Sequence, residues 1–111
     1  QVGNAALALA VLKSLSDRLP VSGEAFRQAI ASSRLPARFE RIRRSPDVYL
    51  DAAHNPPAMA VLSKNLKAMP CEGKTYAVFG AMADKDIASM VKIVADDFDG
   101  WVVTDLPIPR A

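Results

Sequence analysis

The spacing of apolar residues along the chain changes near residue 37. Before that point the pattern is helical. Alanine and leucine dominate "QVGNAALALAVLKSL", and no proline intervenes before Pro20, which predicts a helix over Gln1 to Leu15. A second helix is predicted over Gly23 to Ala31. Ser22 is its N-cap, Glu24 lies in the first turn where the helix dipole favours an anion, and Phe26, Ala29 and Ile30 share one face. "SSRLPAR", Ser32 to Arg38, reads as a linker, because Pro36 turns its neighbour away from helix and serines favour turns.

Beyond the linker the period shortens. "FERIRR" alternates as a strand does, "SPD" is a turn, and "VYLDAA" is a β-branched and aromatic run suited to a buried strand, so the two runs are predicted to pair as a hairpin or as neighbours. Asn55 is placed to cap a helix that opens on Pro56 or Pro57 and runs to about Met69. That helix buries Met59, Leu62, Leu66 and Met69 and stops at Pro70. "TYAVFG" follows as a buried strand and "AMADKD" as a loop. A helix over Ile87 to Ala95 then turns Ile87, Met90, Val91 and Val94 inward, and "GWVVTD" is the last strand. Strands alternating with helices predict an α/β fold from about Ala37 onward, an open, mostly parallel sheet of Rossmann-like type joined by crossovers. Such a sheet usually has about five or six strands. Here the chain reaches "LPIPRA" straight after the fourth, and its first helix begins abruptly, so the sequence is expected to be a piece of something longer.

Composition narrows the class of protein. With 111 residues, half of them apolar, the chain can build one modest core. Its longest apolar run, "AALALAVL", is far short of the roughly 20 residues that span a bilayer and lacks the marks of a signal peptide. Cys71 is the single cysteine, which excludes an internal disulfide and points to a reducing compartment, the cytoplasm by default. The net charge of +2 does not argue for nucleic acid. Five arginines, Arg34, Arg38, Arg41, Arg43 and Arg44, nevertheless crowd one eleven-residue stretch, with Phe39 the one aromatic residue inside it.

Two segments invite a chemical reading. "AMPCEGKT", Ala68 to Thr75, fits a loose phosphate-loop pattern, but the order is wrong. A working loop leaves a strand and opens a helix, and here a helix precedes and a strand follows; Pro70 also removes an N–H donor. The second segment, "LDAAHNPPA", lies at the carboxyl end of a predicted strand, where open α/β sheets hold their ligands. Asp51 can accept two hydroxyls of a ribose there, and His54 can donate to a phosphate or pack on a sugar. Asp51 as a turn residue and His54 as a solvated imidazole fit the same residues. One histidine without a tight carboxylate cluster does not supply a metal site.

"LDAAHNPPA" resembles the Asp-Gly-Ala-His-Asn-Pro signature of the folylpolyglutamate synthase and dihydrofolate synthase family, the folate branch of the Mur ligase superfamily. Three further segments agree in order. "QVGNAALAL" is similar to the Gln-x-x-Asn-Ala helix that closes the family's central ATPase domain, "PARFERI" to its Pro-Gly-Arg-Phe-Glu linker, and "VFGAMADKDI" to the loop carrying Asp-Lys-Asp. The resemblance implies two parts. Residues 1–35 would be the last helices of the central ATP-binding domain with the linker, and residues 36–111 a truncated Rossmann-like C-terminal ligase domain.

By position, the resemblance implies that Asn4 bonds the adenine of ATP, Arg38 reaches its phosphates, Asp51 holds the ribose and His54 lies nearby. Lys85 is the candidate contact for the incoming glutamate or the intermediate. Ala37 and Ala52 stand where the family usually has glycine. The implied reaction is ATP-dependent addition of L-glutamate to dihydropteroate or folates through an acyl phosphate. The phosphate loop, the magnesium ligands and the rest of the ATPase domain would lie outside these residues, which alone are expected to be inactive. No nucleic-acid or membrane partner is implied. Two other readings stay open: a peptidoglycan-precursor or cyanophycin-type Mur ligase, and a non-catalytic nucleotide- or RNA-binding module built on the arginines.

Overall fold

A computed structural model of the chain describes residues 2–33, 35–69 and 71–107. Gln1 at the start of the first predicted helix, Arg34 of the arginine cluster, Pro70 as a helix stop and the closing "IPRA" lie outside the described residues. The chain divides into two compact units, Gln1–Leu35 and Pro36–Ala111.

The first unit holds α1 (Val2–Ser14) and α2 (Gly23–Ser32). The Ser22 hydroxyl caps α2 by accepting the Ala25 N–H at 3.1 Å, and Glu24 in the first turn binds Arg27 one turn on at 2.6 Å. The apolar face foreseen on α2 is only partly covered. Phe26 is half-buried, whereas Ala29 and Ile30 are exposed.

The second unit holds β1 (Glu40–Arg43), β2 (Val48–Leu50), α3 (Pro56–Lys67), β3 (Tyr76–Phe79), α4 (Ile87–Val94), a 3-10 turn (Ala95–Asp97) and β4 (Gly100–Val103). β1 and β2 pair antiparallel, Glu40 opposite Leu50 and Arg41 opposite Tyr49, with an irregularity before Arg43 meets Val48. β3 and β4 pair parallel, Tyr76 opposite Gly100 through Phe79 opposite Val103. Among the described residues the hairpin and the parallel pair are separate two-stranded sheets, and the α/β order of the chain is preserved without one continuous ladder.

Local chemistry explains where the elements start. The Asn55 side chain accepts the Ala58 N–H at 2.9 Å, and Pro56 and Pro57 fill the first turn of α3, where a missing N–H costs nothing. Asp86 does the same for α4 by accepting the Ser89 N–H at 3.1 Å. The parallel pair is fastened at both ends. Thr75 and Asp99 exchange two bonds below it, and Thr104 N–H donates to the Phe79 carbonyl above it at 2.9 Å.

Met59 of α3 with Met90 and Val94 of α4 form the centre of the core, and Ala53, Leu62, Phe79, Phe98 and Trp101 pack against them. Trp101 meets Phe79 and Phe98 edge-on, at centroid distances of 5.9 and 5.0 Å. Burial of the strands differs from the sequence expectation. Ala77 is buried, but Tyr76, Val78 and Val102, on the other face of the pair, are exposed. In β2, Val48 and Tyr49 are half-buried and Leu50 is exposed, since among the described residues β2 pairs only with β1. Ile87, expected to face inward, is exposed, because it opens α4 one turn ahead of Met90.

Candidate functional site

The polar groups singled out in the second unit gather where strands end. Asp51 leaves the carboxyl end of β2, and its side chain turns back onto the backbone. Oδ2 accepts the Phe39 N–H and Oδ1 accepts the Ala53 N–H, each at 2.8 Å. The Phe39 bond spans twelve positions of sequence, so it ties the entry to β1 to the exit from β2. Ala52 N–H donates to the Ala37 carbonyl at 2.8 Å and doubles the tie. Arg38 sits inside this turn, exposed, and no hydrogen bond or ion pair engages its guanidinium among the described residues.

A cavity of about 370 Å³ opens beside this turn, lined by Ala53, His54, Gly80, Ala81, Met82, Lys85 and Leu106. Its walls come from the segments that follow β2, β3 and β4, the carboxyl-end location that open α/β folds use for ligands. His54 Nδ1 lies 2.9 Å from the Ala52 carbonyl. A carbonyl can only accept, so Nδ1 carries a proton and donates it there, which fixes the ring and leaves Nε2 uncommitted. Lys85 Nζ binds Asp84 at 3.0 Å, and its backbone N–H closes the "MADK" turn on the Met82 carbonyl at 3.0 Å. A cation and an imidazole thus share one apolar-walled cavity.

Gly80 lets two of these walls approach closely. A Cβ there would meet Thr104 Cγ2 and its carbonyl at 3.1 Å and Leu106 Cδ2 at 3.3 Å, so glycine lets the end of β3 and the tail of β4 run side by side. Gly80, Met82 and Leu106 were not singled out by the sequence reading. The glycine directly after "YAVF" was the available signal.

Arg38 and Asp51 therefore share one turn, and His54 and Lys85 share one cavity. Asn4, exposed on α1, belongs to the other unit. Of the remaining arginines, Arg41 pairs with Asp47 at 3.6 Å, while Phe39 stacks on Tyr49 with ring centroids 4.9 Å apart. The segment mistaken most easily for a phosphate loop runs from α3 into β3, with Thr75 N–H held by Asp99 at 2.7 Å. Among the described residues no three His, Cys, Asp or Glu side chains converge as metal ligands, and no helix is long and apolar enough to cross a membrane.

Strands alternating with helices, with charged and polar groups collected at the strand ends, define an α/β domain. The chain belongs to the Mur ligase family, matching its glutamate ligase domain over residues 37–111. It is 43% identical over 96% of its length to the dihydrofolate synthase/folylpolyglutamate synthase of Escherichia coli, covering 25% of that protein. Its fold is similar to that of E. coli FolC in complex with DHPP and ADP, with a TM-score of 0.87 at 43% identity over 96% of this chain and 25% of that one. It is similar too to a bifunctional folylpolyglutamate synthase/dihydrofolate synthase with Mn, AMPPNP and L-glutamate bound, with a TM-score of 0.89 at 40% identity over 98% of this chain and 26% of that one. The chain spans about a quarter of the length of the curated relatives it matches.

Proposed function

We propose that this chain is the glutamate-ligase part of an ATP-dependent acid–amino-acid ligase that adds L-glutamate to dihydropteroate, to folates or to both. The observation that carries the reading is the gathering of Arg38, Asp51, His54 and Lys85 at the carboxyl ends of β2 and β3 in a chain so similar to folate ligases. ATP supplies the phosphoryl group that activates the acceptor carboxylate for attack by the glutamate amine.

The residues present suit a nucleotide. Each Asp51 oxygen already accepts one backbone N–H, which fixes the carboxylate, and each keeps a free lone pair for a ribose hydroxyl. Arg38 offers a guanidinium, unpaired among the described residues, to phosphate oxygens, a planar donor fork that matches them in geometry and charge. His54 has its Nδ1 proton committed to the Ala52 carbonyl and would lie beside the sugar or phosphate. Lys85 would meet a carboxylate of the incoming glutamate or the negative charge that builds on the reacting centre. Asn4 would bond the adenine from the first unit, with residues 1–35 read as the close of the ATPase domain and 36–111 as the ligase domain. We assign the phosphate loop and the magnesium ligands to residues outside this chain, and the enzyme to the cytoplasm.

The test is ATP-dependent incorporation of labelled L-glutamate by the complete protein, with dihydropteroate and a reduced folate as acceptors. Product with either acceptor, lost in D51A, is the expected result. A preference for another amino acid on a peptidoglycan-precursor or cyanophycin acceptor would overturn it.

A further inference from the structure

The turn that presents Arg38 is an unusual piece of backbone. Ala37 and Phe39, on either side of it, both have positive φ, 53° and 51°. Side chains with a Cβ are disfavoured there, and two such residues so close together persist only where the surroundings hold them. Four contacts do so. Asp51 accepts the Phe39 N–H, the Ala37 carbonyl accepts the Ala52 N–H, and the Phe39 ring stacks on Tyr49 at an interplanar angle of 23°. The fourth is Glu40, whose Oε2 accepts the Ala37 N–H at 2.8 Å.

We propose that Glu40 is a positioning residue for Arg38, locking the entry to the turn so that the guanidinium is held at the carboxyl end of β2. The inference rests on the reading that Arg38 meets the phosphates of ATP. Glu40 suits the task for two reasons. It is the first residue of β1 and pairs with Leu50, next to Asp51, so its backbone is registered to the same strand end that carries the other lock. Its carboxylate is also engaged by a backbone amide rather than by Arg38, although the two residues are close in sequence. A carboxylate paired with Arg38 would neutralise the charge a phosphate needs. Held on the Ala37 amide, it shapes the turn and leaves that charge available.

The experiment compares E40A, E40Q, R38A and E40A/R38A in the complete ligase. Loss of a charge-assisted bond that positions a phosphate contact predicts a roughly fivefold rise in KM for ATP in E40A, with kcat changed less. A merely structural loss would instead lower the active fraction and leave KM alone. E40Q keeps an acceptor oxygen and recovers most of the effect. In the R38A background, itself raised in KM, E40A adds nothing, because Glu40 acts through Arg38. Hydrogen exchange read by mass spectrometry over residues 36–40 speeds up roughly tenfold in E40A without nucleotide. If E40A adds its full effect on top of R38A, or exchange is unchanged, the positioning role is overturned while the nucleotide reading stands. If R38A leaves the ATP KM unaltered, the nucleotide reading itself fails and the inference falls with it.

Discussion

Around Met90 the chain is held by packing, and around Arg38 it is held by carboxylates on amide hydrogens. The first region, α3, β3, α4 and β4, buries two methionines, an alanine and a valine and covers them with Phe79, Phe98 and Trp101. The second, the turn and hairpin from Ala37 to Ala53, has no fully buried residue and relies on Glu40, Asp51 and one ring stack. Apolar packing is non-directional and fixes a scaffold. Hydrogen bonds to a turn are directional and fix the aim of one side chain. The candidate site lies where the second kind of restraint is mounted on the end of the first, and each can be broken separately.

The largest effect is expected at the centre of the scaffold. Met90 has no solvent exposure, so M90A removes its contacts and leaves a cavity between α3 and α4. A loss of about 2–5 kcal/mol is expected in urea denaturation. Because the cavity behind His54 and Lys85 is walled by the ends of the same elements, M90A should also disturb it. A cost within a few tenths of a kcal/mol would mean that the methionine does not organise this half.

A smaller loss is expected at the edge of the scaffold. The Asp97 side chain is 4% exposed, with Oδ1 3.3 Å from Lys67 Nζ and Oδ2 without a hydrogen-bond partner among the described residues. K67M removes the cation and leaves a buried carboxylate unpaired. Lys67 itself is largely exposed and its attraction is screened, so about 1–2 kcal/mol is expected rather than the full cost of a buried charge. Recovery of that loss in K67M/D97N, measured in the same denaturation series, is the sharper reading. An unrecovered loss would place the effect in the lysine stem.

This contrast also marks how far the sequence could be read. Caps and helices were legible because their signals are local: Ser22, Asn55 with its prolines, and the apolar spacing of Met59, Met90 and Val94 all act within a turn or two of chain. The resemblance assigned Arg38 and Asp51 to one nucleotide, but that they lie on one turn shows only in three dimensions, since twelve residues separate Phe39 from the carboxylate that binds its amide. The division into two small sheets was not legible. Apolar runs such as "VYL" and "YAVF" carry the same pattern whether their neighbours are hydrogen-bonded to them or not. Lining residues such as Leu106 were missed because a cavity wall is made by chain segments that meet only in three dimensions.

Acid provides a comparison between the two modes without mutation. The hydrogen bond from the Ser89 side chain, then that from its backbone N–H, holds the Asp86 carboxyl below its ordinary value of 3.8. A depressed carboxylate contributes stability that is present above the unfolded value and lost as pH falls through the lower folded one. α4 is therefore expected to lose its cap below about pH 3.8, and D86N, which keeps an acceptor but not the charge, should flatten that part of the pH–stability curve. An identical acid limb in D86N would show that other carboxylates govern it.

The smallest effect, and the most diagnostic for the turn, is expected at Ala37. A residue with a Cβ in the left-handed region carries about 1–2 kcal/mol of strain that glycine does not, whereas glycine loses about 0.5–1 kcal/mol through the greater freedom of the unfolded chain. The first term exceeds the second at φ 53°, so A37G should leave stability unchanged or raise it by up to about 1 kcal/mol. A52G is the control. Ala52 is not among the described residues with positive φ, so only the entropic loss applies and the denaturation midpoint should fall. Opposite signs at two alanines that lie one hydrogen bond apart would show that strain resides on the Arg38 side of the tie. Equal losses at both positions would mean that the turn is relaxed and that Glu40 and Asp51 hold nothing under tension.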